Sequence, residues 1–368
     1  MNQPQHWYKA LAGRQEIGNY RNLRINDTGV DFLSNDYLGM TCNKAFQQHL
    51  LELLNVNPKL LSGATGSRLI SGNSPICKEV EKSIAKRHQT ESALLFPSGY
   101  KANLALFSCI AGRNQTILVD ELVHRSVHDG CTLSYAQKKK FRHNDINHLE
   151  YLLSRTTGSV FIAVESLYSM DGDFAPLEDI VILAERYGAW VIVDEAHAVG
   201  VFGEGLVYRY NLQSRVLATV VTYGKAFGAQ GAAVLGNKML KEYLVNFASP
   251  FIYSTAMPDI QILIISETYK FLEVHSYLAD ELQYNIKYFR KHKVHSLSQD
   301  MSPVQVVQFP AVKNLYKAVQ ELKQQKINVY PILSPTVKEG GERLRITLHQ
   351  FNSIAEIDEL ASIIKDNL

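Results

Sequence analysis

Through the middle of the chain, short apolar and β-branched runs recur without alternating polar positions, at residues 93–96, 116–119, 160–164, 190–193, 218–221 and 232–235. Such runs read as strands covered on both faces, and they predict a mainly parallel sheet. Between them the apolar positions fall into helical spacing, as at residues 78–86 and 177–187. Strands separated by helices make the α/β pattern. The run Lys138-Lys139-Lys140 reads as a solvated strand edge. From about Leu272 the texture changes. A polar helical stretch at 275–291 leads to a strand-like 303–309, a helix at 313–325 and two strand-like runs at 327–331 and 343–348. A last helix is announced by the capping box Ser353-Ile354-Ala355-Glu356. The expected organisation is an N-terminal segment over 1–40, a large α/β domain over 41–275 and a small α+β domain over 276–368.

Composition narrows the partners more than the fold. Of 368 residues 46% are hydrophobic and 20% charged, which suits a cored globular chain rather than a low-complexity one. With 38 basic against 36 acidic residues, the net charge of +2 gives no electrostatic case for nucleic acid or an anionic membrane. No apolar run is long enough to span a bilayer, and Met1-Asn2-Gln3-Pro4-Gln5-His6 carries no basic stretch leading into an apolar one. Cys42, Cys77, Cys109 and Cys131 are widely spaced, so packing roles in a reducing cytoplasm are expected rather than disulfides or a zinc site.

Ligands of open α/β sheets bind outside the carboxyl ends of the strands. In chain order those ends carry Pro97-Ser98-Gly99-Tyr100, Asp120 to His124, Glu165 to Ser169, Asp194-Glu195-Ala196-His197 and Thr222-Tyr223-Gly224-Lys225. No Gly-x-x-x-x-Gly-Lys-Ser/Thr loop and no His-Glu-x-x-His is present, and no metal site is expected; His124 and His128 form only a weak i,i+4 pair. Gly200-Val201-Phe202-Gly203-Glu204-Gly205 does not match the dinucleotide fingerprint and follows a middle strand, which argues against a nicotinamide enzyme. A lysine, a carboxylate, flat polar rings and a strand-to-helix junction together are what pyridoxal phosphate requires. The lysine forms a Schiff base, the carboxylate keeps the ring nitrogen protonated, a flat group covers one ring face, and a helix N-terminus takes the phosphate.

Seven ordered motifs carry a family likeness. They are Ser34-Asn35-Asp36-Tyr37-Leu38-Gly39, Gly66-Ser67-Arg68-Leu69-Ile70-Ser71-Gly72, Phe96-Pro97-Ser98-Gly99-Tyr100-Lys101-Ala102-Asn103, Ser169-Met170-Asp171-Gly172-Asp173, Val193-Asp194-Glu195-Ala196-His197, Thr222-Tyr223-Gly224-Lys225-Ala226-Phe227-Gly228 and Tyr253-Ser254-Thr255. From about Asp31 to Leu348 the chain resembles the α-oxoamine synthases, pyridoxal-phosphate enzymes of fold type I. Weaker marks, His143-Asn144-Asp145 with His148-Leu149, Pro335-Thr336-Val337 and Arg343-Leu344-Arg345-Ile346-Thr347-Leu348, point to one branch of that family. The resemblance implies condensation of L-alanine with pimeloyl-CoA, or a pimeloyl carrier-protein thioester, giving 8-amino-7-oxononanoate, CO2 and free thiol in biotin synthesis. Glycine with acetyl-CoA and serine with palmitoyl-CoA are the alternatives within the family, and a simple aminotransferase is a more distant one.

By the same resemblance Lys225, Asp194, His124 and His197 are catalytic. Lys225 holds the cofactor, Asp194 meets its ring nitrogen, His124 stacks on the ring and His197 meets its phenolic oxygen. Ser98, Gly99, Tyr100, Ser169 and Thr222 complete the cofactor's binding set, with Ser254 and Thr255 reaching the cofactor phosphate of a partner subunit in a homodimer with shared sites. Asn35 and Arg345 are the expected substrate residues, with Arg345 on the amino-acid carboxylate. The sequence departs from the family at Ala198-Val199, where Gly-Thr is usual, at Ala226 after the lysine, and at Gly228-Ala229-Gln230-Gly231.

Overall fold

The computed structural model describes residues 4–17, 20–23, 25, 28–334 and 336–368. Met1, Asn2, Gln3 and Pro335, used above, lie outside the described residues. In chain order the strands are β1 (Val30–Asp31), β2 (Ser92–Phe96), β3 (Thr116–Asp120), β4 (Gln137–Phe141), β5 (Val160–Glu165) and β6 (Trp190–Asp194). They continue with β7 (Ala218–Thr222), β8 (Ala232–Gly236), β9 (Val304–Gln308), β10 (Ile327–Asn328), β11 (Tyr330–Ile332) and β12 (Arg343–Thr347).

Seven of these form the main sheet in the order β2-β8-β7-β6-β5-β3-β4. Strands β4, β3, β5, β6 and β7 pair in parallel, while β8 lies antiparallel between β7 and β2. Six strands therefore run one way, the mainly parallel sheet expected; β8 is as apolar as its neighbours but antiparallel, and the edge strand β4 is a lysine run rather than an apolar one. In β2 and β8 the alternate residues enter two different apolar cores: Leu94, Phe96, Ala232 and Val234 on one face, Ala93, Leu95, Ala233 and Leu235 on the other. That two-sided burial is why the strands carry no polar face. At the far edge β4 presents the exposed Lys138 and Lys140, so the lysine run sits on an edge strand and blunts it.

The helices of the large unit are set by local signals. Pro75–Arg87 begins with Pro75 at its first position, and the Ser74 hydroxyl accepts from Cys77 N at 3.0 Å. Leu177–Tyr187 ends on Gly188 in the left-handed conformation, at φ 62°.

Past Val274 the chain forms the helix Tyr277–Lys291 and then the antiparallel sheet β11-β12-β9, flanked by helices Val312–Gln324 and Ile354–Lys365. Both halves of the Ser353/Glu356 capping box are present. The single strand expected over 327–331 is divided: β10 pairs in parallel with β1, while β11 turns into the three-stranded sheet. Pro331 lacks an N–H, and β11 is accordingly an edge strand. The apolar core on one face of the main sheet continues without a break into this region. Val221 and Phe227 share it with Leu282, Val304, Leu344 and Ile357, and with Phe32 and Tyr37 from the N-terminal segment.

Candidate active site

The strands β2, β3, β5, β6 and β7 point the same way, so their carboxyl ends meet along one edge of the sheet. After β2 the chain turns directly into the helix Gly99–Cys109, with Ser98 as its cap accepting from Lys101 N at 3.2 Å. The first N–H groups of that helix, on Gly99 and Tyr100, have no acceptor within the helix and present its positive end. A Cβ on Gly99 would stand 3.3 Å from Thr222 Oγ1 at the end of β7, so glycine lets the two elements close on each other. Thr222 Oγ1 donates to Gly231 O at 3.2 Å. The Tyr100 ring is exposed, and its hydroxyl bonds Asp129.

Asp194 ends β6 and is buried. Its Oδ1 accepts from Ala196 N at 2.9 Å and its Oδ2 from Asn103 Nδ2 at 2.6 Å. The same Asn103 amide reaches Ser126 Oγ at 3.0 Å, and Ser126 Oγ lies 2.8 Å from His124 Nδ1. His124 caps the helix Arg125–Leu133 by accepting from Ser126 N, which leaves its ring exposed beside the Asp194 network. The Asn103 Oδ1 atom is buried with no partner among the described residues.

Lys225 follows β7, half-buried, with Nζ 2.5 Å from His197 Nε2. Burial lowers its pKa to about 8, against the opposing pull of Asp194 and Glu165. Glu165, at the end of β5, receives the His124 N–H; burial, reinforced by Asp194, raises its carboxyl to about 8. His197 is held well below the usual histidine value, first by burial and then by the positive charge of Lys225 and Arg345. Its other nitrogen, Nδ1, lies 2.6 Å from the hydroxyl of the fully buried Tyr37.

Arg345 comes from a different sheet. It sits on β12, buried, with Nε donating to Ser169 O at 2.8 Å, Nη1 to Thr347 Oγ1 at 3.0 Å and Nη2 to Asn35 Oδ1 at 3.0 Å. A guanidinium has five N–H groups, so two remain for a ligand carboxylate, in a fork that three bonds hold still. Arg343, two residues earlier on the same face, binds Asp171. Together the two arginines tie the loop between Tyr168 and Phe174 to the small sheet. Gly172 in that loop has φ +68°, and a Cβ there would meet Val304 O at 2.2 Å.

The structure thus brings Lys225, Asp194, His197, His124, Thr222, Ser98, Gly99 and Tyr100 to one sheet edge, and it joins Asn35 and Ser169 to Arg345. Ser254 and Thr255 line a cavity beside Pro97, with Arg68 and Phe251. There Ser254 Oγ donates to Pro250 O at 2.7 Å, and Thr255 bridges Ser67. The departures at Ala198, Val199 and Ala226 are packing positions, each buried. Four further contributors, Tyr37, Asn103, Ser126 and Glu165, were given no role from the sequence, although Tyr37 and Asn103 stand inside two of the quoted motifs and Glu165 was named as a strand end. Among the described residues no group of three or more His, Cys, Asp or Glu is arranged to hold a metal.

The donor set fits the cofactor that the resemblance implies. A helix end with free N–H groups lies against the Thr222 hydroxyl, a fixed carboxylate shares a hydrogen-bond network with an exposed imidazole, and a lysine of lowered pKa follows the neighbouring strand. The architecture is that of the fold type I PLP-dependent transferases. The chain belongs to the aminotransferase class I and II family, whose pattern matches residues 27–364. Within it, the chain is 36% identical to 8-amino-7-oxononanoate synthase of Emericella nidulans, over 97% of this chain and 93% of that one. It is 35% identical to the enzyme of the same name from Chromobacterium violaceum, over 91% and 88%. Among solved structures it resembles 8-amino-7-oxononanoate synthase from Francisella tularensis, with 27% identity, TM-score 0.78, and 92% and 98% of the two chains covered. It shares its fold with serine palmitoyltransferase from S. paucimobilis, solved with bound PLP–myriocin, at 23% identity and TM-score 0.88 over 99% and 96%.

Proposed function

We propose that this chain is a PLP-dependent acyltransferase that condenses L-alanine with a pimeloyl thioester, losing CO2 and releasing the thiol to give 8-amino-7-oxononanoate. The carrying observation is the meeting of Lys225, Asp194 and His197 at one sheet edge with the carboxylate fork of Arg345 beside them. The names of relatives about 35% identical over nearly the whole chain support the substrates.

When bound, pyridoxal 5'-phosphate supplies an electron-withdrawing ring that stabilises negative charge at the amino acid's α-carbon. Asp194, its oxygens fixed by Asn103 and Ala196 N, would keep the ring nitrogen protonated. His124 would cover one face of the ring. Ser98, Thr222 and the N–H groups of Gly99 and Tyr100 hold the phosphate at a helix N-terminus. Ser169 belongs to the same set: its carbonyl fixes Arg345. Arg345 and Asn35 orient the amino acid by its carboxylate. Lys225 is the cofactor's anchor and the base that takes the α-proton at Nζ. With its pKa near 8, a useful fraction is neutral at physiological pH, whereas an ordinary lysine would be almost wholly charged. His197, whose Nδ1 is held by Tyr37, would offer Nε2 to the cofactor's phenolic oxygen and the incoming acyl group once the cofactor occupies Lys225. On this reading the unit over 41–275 carries the cofactor, and the unit over 276–368 contributes the substrate arginine.

The working form is a homodimer in which Ser254 and Thr255 complete the phosphate site of the other subunit. The four cysteines stand as free thiols, which supports a cytoplasmic setting. Among the described residues no helix is long and apolar enough to cross a membrane. The deciding experiment is a turnover panel of alanine, glycine and serine, crossed with short, dicarboxylic and long acyl-CoAs. Alanine with the pimeloyl thioester should lead. A lead by serine with a long acyl chain, or by glycine with acetyl-CoA, would move the chain to another branch. A protein that stays colourless with pyridoxal phosphate and is not trapped on it by borohydride would end the cofactor reading.

A further inference from the structure

The sequence mark His143-Asn144-Asp145, with His148 after it, divides into two jobs. Asp145 and His148 serve the following helix: Asp145 caps Ile146–Ser154 by accepting from His148 N at 2.8 Å, and His148 Nδ1 accepts from Arg142 N at 2.9 Å. His143 and Asn144 join two other segments. His143 Nδ1 lies 2.9 Å from Asp120 Oδ1 at the end of β3, and its Nε2 lies 2.6 Å from Asp173 Oδ2. Asn144, in the left-handed conformation at φ 53°, donates its N–H to Asp120 Oδ2 at 2.9 Å and Nδ2 to Asp173 Oδ2 at 2.8 Å. Burial works against a charged His143 ring, but the two carboxylates outweigh it and raise its pKa, so the ring donates to both.

Asp173 closes the loop that begins at Ser169. Tyr168 N donates to Asp173 O at 3.0 Å and Gly172 N to Tyr168 O at 2.9 Å, so the loop is tied across its base and its two ends move together. The Tyr168 ring stands edge-on to the His143 ring, with centroids 4.4 Å apart. Further ties run to the C-terminal region, from Arg343 to Asp171 and from Ser298 Oγ, which donates to Asp171 O at 2.6 Å. Of the three groups that hold Arg345, Ser169 O alone follows a main-sheet strand; Thr347 is on β12 itself and Asn35 lies in the N-terminal segment. The place of Ser169 therefore sets the fork relative to Asp194 and Lys225.

We propose that His143 and Asn144 are positioning residues for the amino-acid substrate: by clamping Asp173 to the end of β3 they fix the loop whose Ser169 carbonyl aims the Arg345 fork at the substrate carboxylate. The clamp stands on the protein's own geometry; its effect on the substrate rests on the carboxylate role proposed above for Arg345. Neither residue meets the reacting atoms, so a broken clamp weakens carboxylate binding and spares the cofactor.

The test uses the full-length protein loaded with pyridoxal phosphate and reads the change in its visible absorption on adding L-alanine or ethylamine, the same amine without the carboxylate. His143→Leu should raise the dissociation constant for L-alanine about tenfold while leaving that for ethylamine within about twofold. His143→Gln, which can still bond one carboxylate, should fall between. If His143→Leu does not fold, Asn144→Gly carries the test, since glycine keeps the left-handed backbone and removes only the amide. Equal weakening of both amines, or unchanged alanine binding, overturns the proposal. In an Arg345→Ala background His143→Leu should weaken alanine no further, because it acts through that arginine; an added loss also overturns it. Amide exchange over residues 169–173 tests the clamp itself. It should quicken in His143→Leu, with the helix Tyr277–Lys291 unchanged, and a native rate in the loop overturns the clamp. If Arg345→Ala alone binds alanine as tightly as the native protein, the carboxylate role of Arg345 falls, and the substrate half of the proposal with it, while the exchange result still decides the clamp.

Discussion

Glu81 and Glu165 are both buried carboxylates packed against the main sheet, yet their surroundings are opposite. Glu81 accepts from Arg68 at 2.7 and 3.2 Å, from Lys241 at 2.8 Å and from Leu95 N at 2.9 Å. Burial alone would raise its pKa, but those partners outweigh it and hold the carboxyl below the usual value. Glu165 has a backbone N–H and a like-charged neighbour, Asp194, and burial raises its carboxyl to about 8. Lys225, whose charge pulls against that rise, reaches an imidazole instead, and its own pKa falls to about 8. The first cluster is saturated, and it anchors the loop between Gly66 and Gly72 against the helix Pro75–Arg87. The second leaves charge unpaired at the strand ends, where an incoming ligand can complete it. Charges satisfied by the chain hold structure, while buried charges left poorly paired are where a catalytic role is to be sought.

Substitutions in the two clusters should therefore fail differently. Lys225→Ala should abolish borohydride trapping and turnover while leaving thermal stability near native or higher, because it removes a half-buried, poorly paired amine. Labelling of another lysine by borohydride would show that the anchor is elsewhere. Arg68→Ala should do the reverse. Removing one partner from a buried pair costs up to about 3–5 kcal/mol, and because Lys241 remains, a loss of roughly 3 kcal/mol is expected in urea unfolding. Native stability in that variant would break the contrast. Asp194→Asn keeps the shape and removes the charge; a slowing of about tenfold, equivalent to ~1.4 kcal/mol, is the least expected in kcat. Unchanged turnover would remove Asp194 from the chemistry.

A smaller effect at neutral pH sharpens the same distinction. His143 lies between Asp120 at 2.9 Å and Asp173 at 2.6 Å. Burial alone would lower its pKa, but those two bonds more than offset it and raise it to about 10. The folded state thus holds a proton that the unfolded chain gives up near 6.5. That stabilisation is complete below about 6.5 and is lost as pH rises toward 10. In His143→Gln the decline of stability over that window should be shallower than in the native protein. An identical decline in both would show that the imidazole is not charged in the fold.

Much of this was readable in advance because it is local. The buried strands declare themselves in unalternating apolar runs. The helix after Ser98 and the last helix after Ser353 declare themselves in their caps, and the strand-end residues Asp194, His197, Thr222 and Lys225 follow from where those strands stop. What was not readable depends on meetings between distant segments. Asn103 looks like an ordinary helical asparagine until the sheet brings Asp194 against it, 91 positions away. Glu165 was visible as a strand end, but its raised pKa needs Asp194 and burial together. The run over 327–331 looked like one strand because nothing nearby says that its first half will pair with Val30, almost three hundred residues earlier.

Order along the chain was thus enough for the α/β class, the family and the strand-end residues that gather at the candidate site, since each rests on short-range periodicity or on motifs a few residues long. Tertiary structure alone decided which side chains touch. It set Tyr37 against His197 across 160 positions and Asn35 against Arg345 across 310. It left Lys225 facing a neutral ring rather than a carboxylate. The physical reason is that burial and hydrogen-bond geometry, which determine protonation and tautomer, exist only once segments remote in sequence have closed around the same volume.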